Sequence, residues 1–255
     1  MQLQLATWPE VETYLENSTG IIVPIGSTEQ HGPSGLIGTD AITSELIAAR
    51  AGAAADAMVA PTISVGMAQH HMAFKGSVTL RPSTLIMVVR DIVVSLARHG
   101  FDRFLFVNGH GGNVPTVNAA FAEIYNELAE ARTMAGPGGN RMPASVQCRI
   151  ENWYMHPDVA AVAQELYGDN EGFHATASEV AVTWYAYPDQ QRDVPLAPIS
   201  MTRERYHDAD DYRRRHPDGR IASDPSLATP EHGERIVETA AAAMADVYRS
   251  FTAAA

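Results

Sequence analysis

Two short apolar runs fix what this chain can fold into. Gly20-Ile21-Ile22-Val23-Pro24-Ile25 and Phe104-Leu105-Phe106-Val107 are apolar at successive positions, the pattern of strands buried on both faces. Each ends in a Gly-rich polar loop that leads into a helical pattern over residues 40–55 and 114–132. Further strands are expected at 57–60, 77–80 and 145–150. Residues 83–99 read as an amphipathic helix closed by Gly100, since glycine suits the left-handed residue that ends a helix. Helices are expected at 158–167, 177–186 and 230–251, the last with Pro230 in its first turn. Residues 187–229 read as an irregular polar surface segment, and residues 133–143, with their Gly-rich Ala135-Gly136-Pro137-Gly138-Gly139-Asn140 run, as an insertion or mobile loop. The alternation of strand and helix predicts an α/β fold with a mostly parallel sheet and helices on both faces. Without internal repeats, residues 1–255 read as a single domain. Ligands of such sheets bind beyond the carboxyl ends of the strands.

Composition narrows the partners. At 45% hydrophobic residues the chain can bury a large core, and its formal charge of -12 comes with no basic run. Nucleic acid and anionic membrane surfaces are therefore poor partners, and no apolar stretch has the length of a membrane span. The one cysteine, Cys148, cannot form an internal disulfide and reads as a packing residue. With no leader-like pattern at residues 1–10, the expectation is a cytoplasmic protein.

Chemistry gathers in the two loops that leave the apolar strands. The first carries Gly26-Ser27-Thr28-Glu29-Gln30-His31-Gly32 and then Gly38-Thr39-Asp40, and the second Asn108-Gly109-His110-Gly111-Gly112-Asn113. Residues two apart in an extended segment point the same way. Glu29 and His31 can thus face one point while Gln30 faces away. Each residue alone has a plainer reading: Glu29 as a solvated carboxylate, His31 as a loop histidine, Asp40 as a helix N-cap. The GHGGN loop does not fit nucleotide-binding spacings. A third segment, Glu171 to Glu179, holds His174 in a loop entering a helix, and Thr176 with Glu179 fits a capping box. Taken together, these carboxylates and imidazoles form the mixed N/O donor set that suits zinc, manganese or iron. One carboxylate has two oxygens and can bridge two ions.

These motifs, in this order, resemble those of the creatininase (creatinine amidohydrolase) family: PIGSTEQHG with GTD, FVNGHGGN and HATASE. HHMAFKGSVTLRPST over residues 70–84 and SDPSLATPEHGERI over 223–236 extend the likeness along nearly the whole chain. The resemblance implies a three-layer α/β/α sandwich, two divalent metal ions, hydrolysis of a small, cyclic or linear amide such as creatinine, and a homohexamer. It implies Glu29, His31, Asp40, His110 and Glu179 as metal ligands, with Asp40 as the bridge, and His174 as the proton shuttle. It implies Trp153 as a ring closing over substrate and His71 as a residue reaching the site from a neighbouring subunit, with Gly111 and Gly112 beside the substrate. Creatininase proper carries a glutamate where this chain has Gly112 and a tryptophan where it has Asn170; Lys75 and Ser77 also depart from the pattern. A peptide-processing or formamide hydrolase, or a non-catalytic ligand-binding protein on the same fold, are the alternative readings.

Overall fold

The computed structural model describes residues 1–135, 143, 145–199 and 205–253. Most of the expected insertion at 133–143 lies outside the described residues. Strands β1 (Gly20–Ile25), β2 (Met58–Val59), β3 (Arg103–Asn108) and β4 (Gln147–Asn152) form one parallel sheet in the order β2-β1-β3-β4. The register pairs Ile22 with Leu105 and Ile25 with Asn108. The two catalytic-looking loops therefore leave neighbouring strands at the same edge.

Strand alternation divides the core in two. Ile21, Val23, Ile25, Phe104 and Phe106 pack against helices α3 (Pro82–His99) and α4 (Val114–Ala135). Ile22, Leu105 and Val107 pack against α2 (Thr39–Ala54), α5 (Pro157–Tyr167), α6 (Ala177–Ala186) and α8 (Pro230–Ala253). The result is the three-layer α/β/α sandwich that the continuous apolar strands require, because both sheet faces must be covered.

Three local expectations change. Residues 77–80 form no strand; Val78 makes only an isolated bridge to Thr28. Their hydroxyls serve other backbone instead: Ser77 Oγ accepts from Gln30 N at 3.1 Å, and Thr79 Oγ1 from Ala68 N at 2.9 Å. Such side-chain bonds offer the chain an alternative to a ladder. The segment expected to be irregular contains a short helix, α7 (Ala209–Arg215), capped by Asp208, whose carboxylate accepts from Asp211 N. An additional N-terminal helix, α1 (Trp8–Leu15), starts at a Thr7–Glu10 capping box. Cys148 is half-buried, and burial pushes its thiol up to about 12, which keeps it protonated and unreactive. No helix of the described residues is long and apolar enough to cross a membrane.

The first turn of α2 is drawn tightly against the end of β3. A Cβ on Gly109 would lie 2.4 Å from the Asp40 carbonyl oxygen and 2.6 Å from Ser44 Oγ. Only glycine permits this approach, and it brings Asp40 beside His110. Gly109→Ala is expected to cost about 1–3 kcal/mol by overpacking, read by denaturant unfolding. A neutral effect would mean that α2 can retreat without consequence.

Candidate metal centre

The carboxyl edge of the sheet gathers Glu29, His31, Asp40 and His110 into one buried cluster; all are at most 6% exposed. Asp40 is the second residue of α2, whose N-cap is Gly38 with no side-chain cap. Its carboxylate is thus free of the capping role that its position in the sequence allowed. Its two oxygens face two imidazoles: Oδ1 lies 2.9 Å from His31 Nε2, and Oδ2 lies 3.3 Å from His110 Nδ1. Glu29 Oε1 lies 3.2 Å from the same His110 nitrogen.

Each ring is tethered through its other nitrogen. His31 Nδ1 donates to the Glu29 carbonyl at 3.1 Å, and His110 Nε2 donates to the Met67 carbonyl at 2.9 Å. A carbonyl oxygen only accepts, so the outer nitrogens carry hydrogen and the inner ones can present lone pairs. This is how metal-binding histidines are fixed in tautomer and orientation. Gly112 protects one tether. A Cβ there would lie 2.4 Å from His110 Nε2 and 2.9 Å from the Met67 oxygen.

The inward atoms are close to one another but poorly aligned for hydrogen bonding. Both Glu29 oxygens, His31 Nε2 and Asp40 Oδ2 are buried without an aligned hydrogen-bond partner. Buried polar atoms normally have one. Glu29, His31 and Asp40 each offer one ligand atom within 4.8 Å of the others, and so do Glu29, His71 and His174. The donor chemistry and the orphaned atoms fit divalent cations.

Charge in the cluster follows the same geometry. Burial opposes the charge on His31, but Asp40 beside it holds the ring up at about 9. Burial likewise opposes charge on His110, yet Glu29 and Asp40 hold it well above its usual value. Burial would raise Glu29, but His110 and His71 hold it well below the usual carboxylate range. Protons therefore neutralise the carboxylates where cations would.

Glu179 joins from the other side. Its Oε2 accepts from Thr176 N at 2.9 Å and from Thr176 Oγ1 at 3.0 Å, completing the capping box. Its carboxylate also lines the cavity and interacts with the charges of His31 and Asp40, and burial raises it to about 7. Capping and facing the site are compatible because the box uses one oxygen. His174 precedes the buried Ala175, whose φ of 53° lies in the left-handed region. The main-chain oxygen of His174 is pinned by Ser223 Oγ at 2.7 Å. Burial, with His71 and His31 nearby, holds the ring of His174 well below its usual value, so it is neutral. Its Nδ1 lies 4.0 Å from Glu29 Oε1.

The structure brings together six of the expected residues and repositions two. His71 reaches the site from within this chain, with Nε2 3.0 Å from Glu29 Oε1. Trp153 is fully buried in the core, while the neighbouring Tyr154 lines the cavity. Gly111 and Gly112 line the cavity. The sequence reading missed His70, Tyr206 and Tyr212, which also line it. The His70 ring stacks on Tyr206 at 5.3 Å and packs against His71 at 4.0 Å with the ring planes tilted by 47°. It also missed Gln30, whose amide contacts both His71 and His174.

A family profile described as "Creatininase: Creatinine amidohydrolase" matches residues 4–248. The chain belongs to the creatininase family. It is 27% identical over 263 residues to the creatinine amidohydrolase of Pseudomonas putida, covering 95% of this chain and 94% of that one. A mycofactocin precursor peptide peptidase from Mycolicibacterium smegmatis is 37% identical over 117 residues, 44% of this chain and 47% of the peptidase. The chain thus spans about half the length of the curated peptidase relatives it matches. Among solved structures, a tryptophan-to-phenylalanine creatininase variant superposes with a TM-score of 0.84 at 25% identity, covering 98% of each chain. A manganese creatininase superposes with a TM-score of 0.81 at 25% identity, also over 98% of each.

Metal loading should depend on pH. A cation must displace the His31 proton, which is held at about 9 instead of the usual 6.5. Apparent affinity is therefore expected to fall by about tenfold for each pH unit below that value and each proton displaced. Chelator competition at several pH values checks this; an affinity independent of pH would contradict it.

Proposed function

We propose that the chain is an amidohydrolase dependent on two divalent metal ions, zinc or manganese foremost and iron also compatible with the donors. The observation that carries the reading is Asp40, whose two oxygens separately face His31 Nε2 and His110 Nδ1. One ion would be held by Glu29, Asp40 and His110, the other by His31, Asp40 and Glu179. When bound, such ions lower the pKa of water and polarise a carbonyl. The manganese creatininase of similar fold supports this choice.

His174 takes the proton-transfer role. Its ring is neutral, its Nε2 is engaged by the Gln30 carbonyl at 2.9 Å, and its Nδ1 is left to accept a proton and return it to a leaving nitrogen. The Gly111-Gly112 backbone forms an open wall beside His110, and Tyr154 and Tyr212 supply ring surfaces for the substrate. The first substrate class is a small amide, creatinine included, in keeping with the full-length Pseudomonas relative. Cytoplasmic location and a homohexamer belong to the same proposal.

One observation favours a second reading. The cavity measures about 670 Å³, within the range that encloses drug-sized ligands, and a single five-membered ring fills little of it. No lysine or arginine is among its described lining residues, while Asp169 and Glu171 are. A short peptide with a free amino group suits such a wall, and the partial match to a peptide peptidase agrees.

Chelated and metal-restored protein should be assayed on creatinine, other lactams, formamides and short peptides. Restoration of hydrolysis by metal is expected. Turnover of peptides but not lactams selects the second reading, and no turnover of any amide with any divalent ion sinks both. His174→Ala should lower kcat by about 10²–10⁴-fold while metal content stays at the wild-type level. Loss of metal with that substitution would instead make His174 a ligand.

A further inference from the structure

The Gln30 side chain, between Glu29 and His31 in sequence, is 5% exposed. Its amide meets more partners than it has hydrogens. Oε1 accepts from Gly32 N at 2.9 Å, which fixes the amide's orientation. Nε2 then lies 3.0 Å from the Gly219 carbonyl, 2.9 Å from His71 Nδ1 and 2.8 Å from His174 Nε2.

Counting donors resolves the network. The Gly219 oxygen can only accept, so it takes one amide hydrogen. His174 Nε2 also lies 2.9 Å from the Gln30 main-chain oxygen. That oxygen too can only accept, so His174 Nε2 carries a hydrogen and cannot receive one from the amide. The second amide hydrogen therefore goes to His71 Nδ1, which must present a lone pair. A neutral His71 ring would then carry its hydrogen on Nε2, the nitrogen that lies 3.0 Å from Glu29 Oε1. The opposite assignment would set a ring lone pair against the Glu29 carboxylate and another against the Gln30 carbonyl. It would also leave a His71 Nδ1 hydrogen facing the amide nitrogen.

We infer that Gln30 is a positioning residue that presets two histidines by different means: its side chain fixes the tautomer of His71, and its main chain fixes that of His174. Through the His71 tautomer, the Gln30 amide sets which form of Nε2 faces the Glu29 carboxylate. Through its carbonyl, it leaves His174 Nδ1 free on the cavity side. This inference rests on the amidohydrolase reading for its purpose, but its geometry stands without a substrate.

The test uses metal-free protein with ¹⁵N-labelled histidine, at a pH where the rings are neutral. Both His71 and His174 are expected to be Nε2–H tautomers. In Gln30→Met, His71 should populate the Nδ1–H form while His174 keeps its tautomer, because the main-chain carbonyl remains. The same variant should bind divalent zinc or manganese about 10–100-fold more weakly in chelator competition, as loss of a partner behind the ligands does. A wild-type His71 with hydrogen on Nδ1 would overturn the inference, and that spectrum decides even where the variant fails to fold. An unchanged His71 tautomer and unchanged metal affinity in a folded Gln30→Met protein would overturn it as well. None of these readouts involves amide turnover, so the inference and the proposed reaction fail separately.

Discussion

The site depends on one carboxylate shared between two tethered imidazoles. Asp40 offers Oδ1 to His31 and Oδ2 to His110, and each ring is held by a carbonyl on its outer nitrogen. Neither ring can turn without losing that bond, and the carboxylate is buried with nothing aligned to satisfy Oδ2. Such an arrangement is costly for a protein that never binds a cation there, because buried unpaired polar atoms are destabilising. The protons held on His31 and His110 offset part of that cost in the metal-free protein.

The fold explains how the pieces meet. β1 and β3 are adjacent and parallel, so their loops open at one edge. Gly109 lets the first turn of α2 press against the end of β3, and Gly112 leaves room for the His110 tether. The apolar strands anchor the edge between two cores, so donors from distant parts of the chain stand on rigid supports. The site is held by elements, and its chemistry is carried by the loops that leave them.

Residues on the strand-exit loops were legible in the sequence because period-two geometry places Glu29 and His31 on one side, and because glycines mark close approach. The capping box fixed the start of α6 and so placed His174 in the loop before it, but it gave Glu179 only a structural role. The site roles of both came from the family resemblance. The same period-two argument gave Gln30 no role, since it predicts direction but not what lies in that direction. Trp153 and Tyr154 exchange places because β4 ends at Asn152 and Trp153–Met155 forms a 3₁₀ turn, which breaks the alternation. His70 arrives on another 3₁₀ turn, and Tyr212 on α7. Neither carries a local pattern tying it to the cavity; only tertiary packing brings these rings together.

The most direct measurement of the shared-carboxylate account is metal stoichiometry by calorimetric titration, wild type against Asp40→Asn. Two ions per chain are expected for the wild type, with both lost or weakened together in the variant, since a single side chain serves both. A wild type that takes one ion, or a variant that loses one site and keeps the other at full affinity, would contradict it.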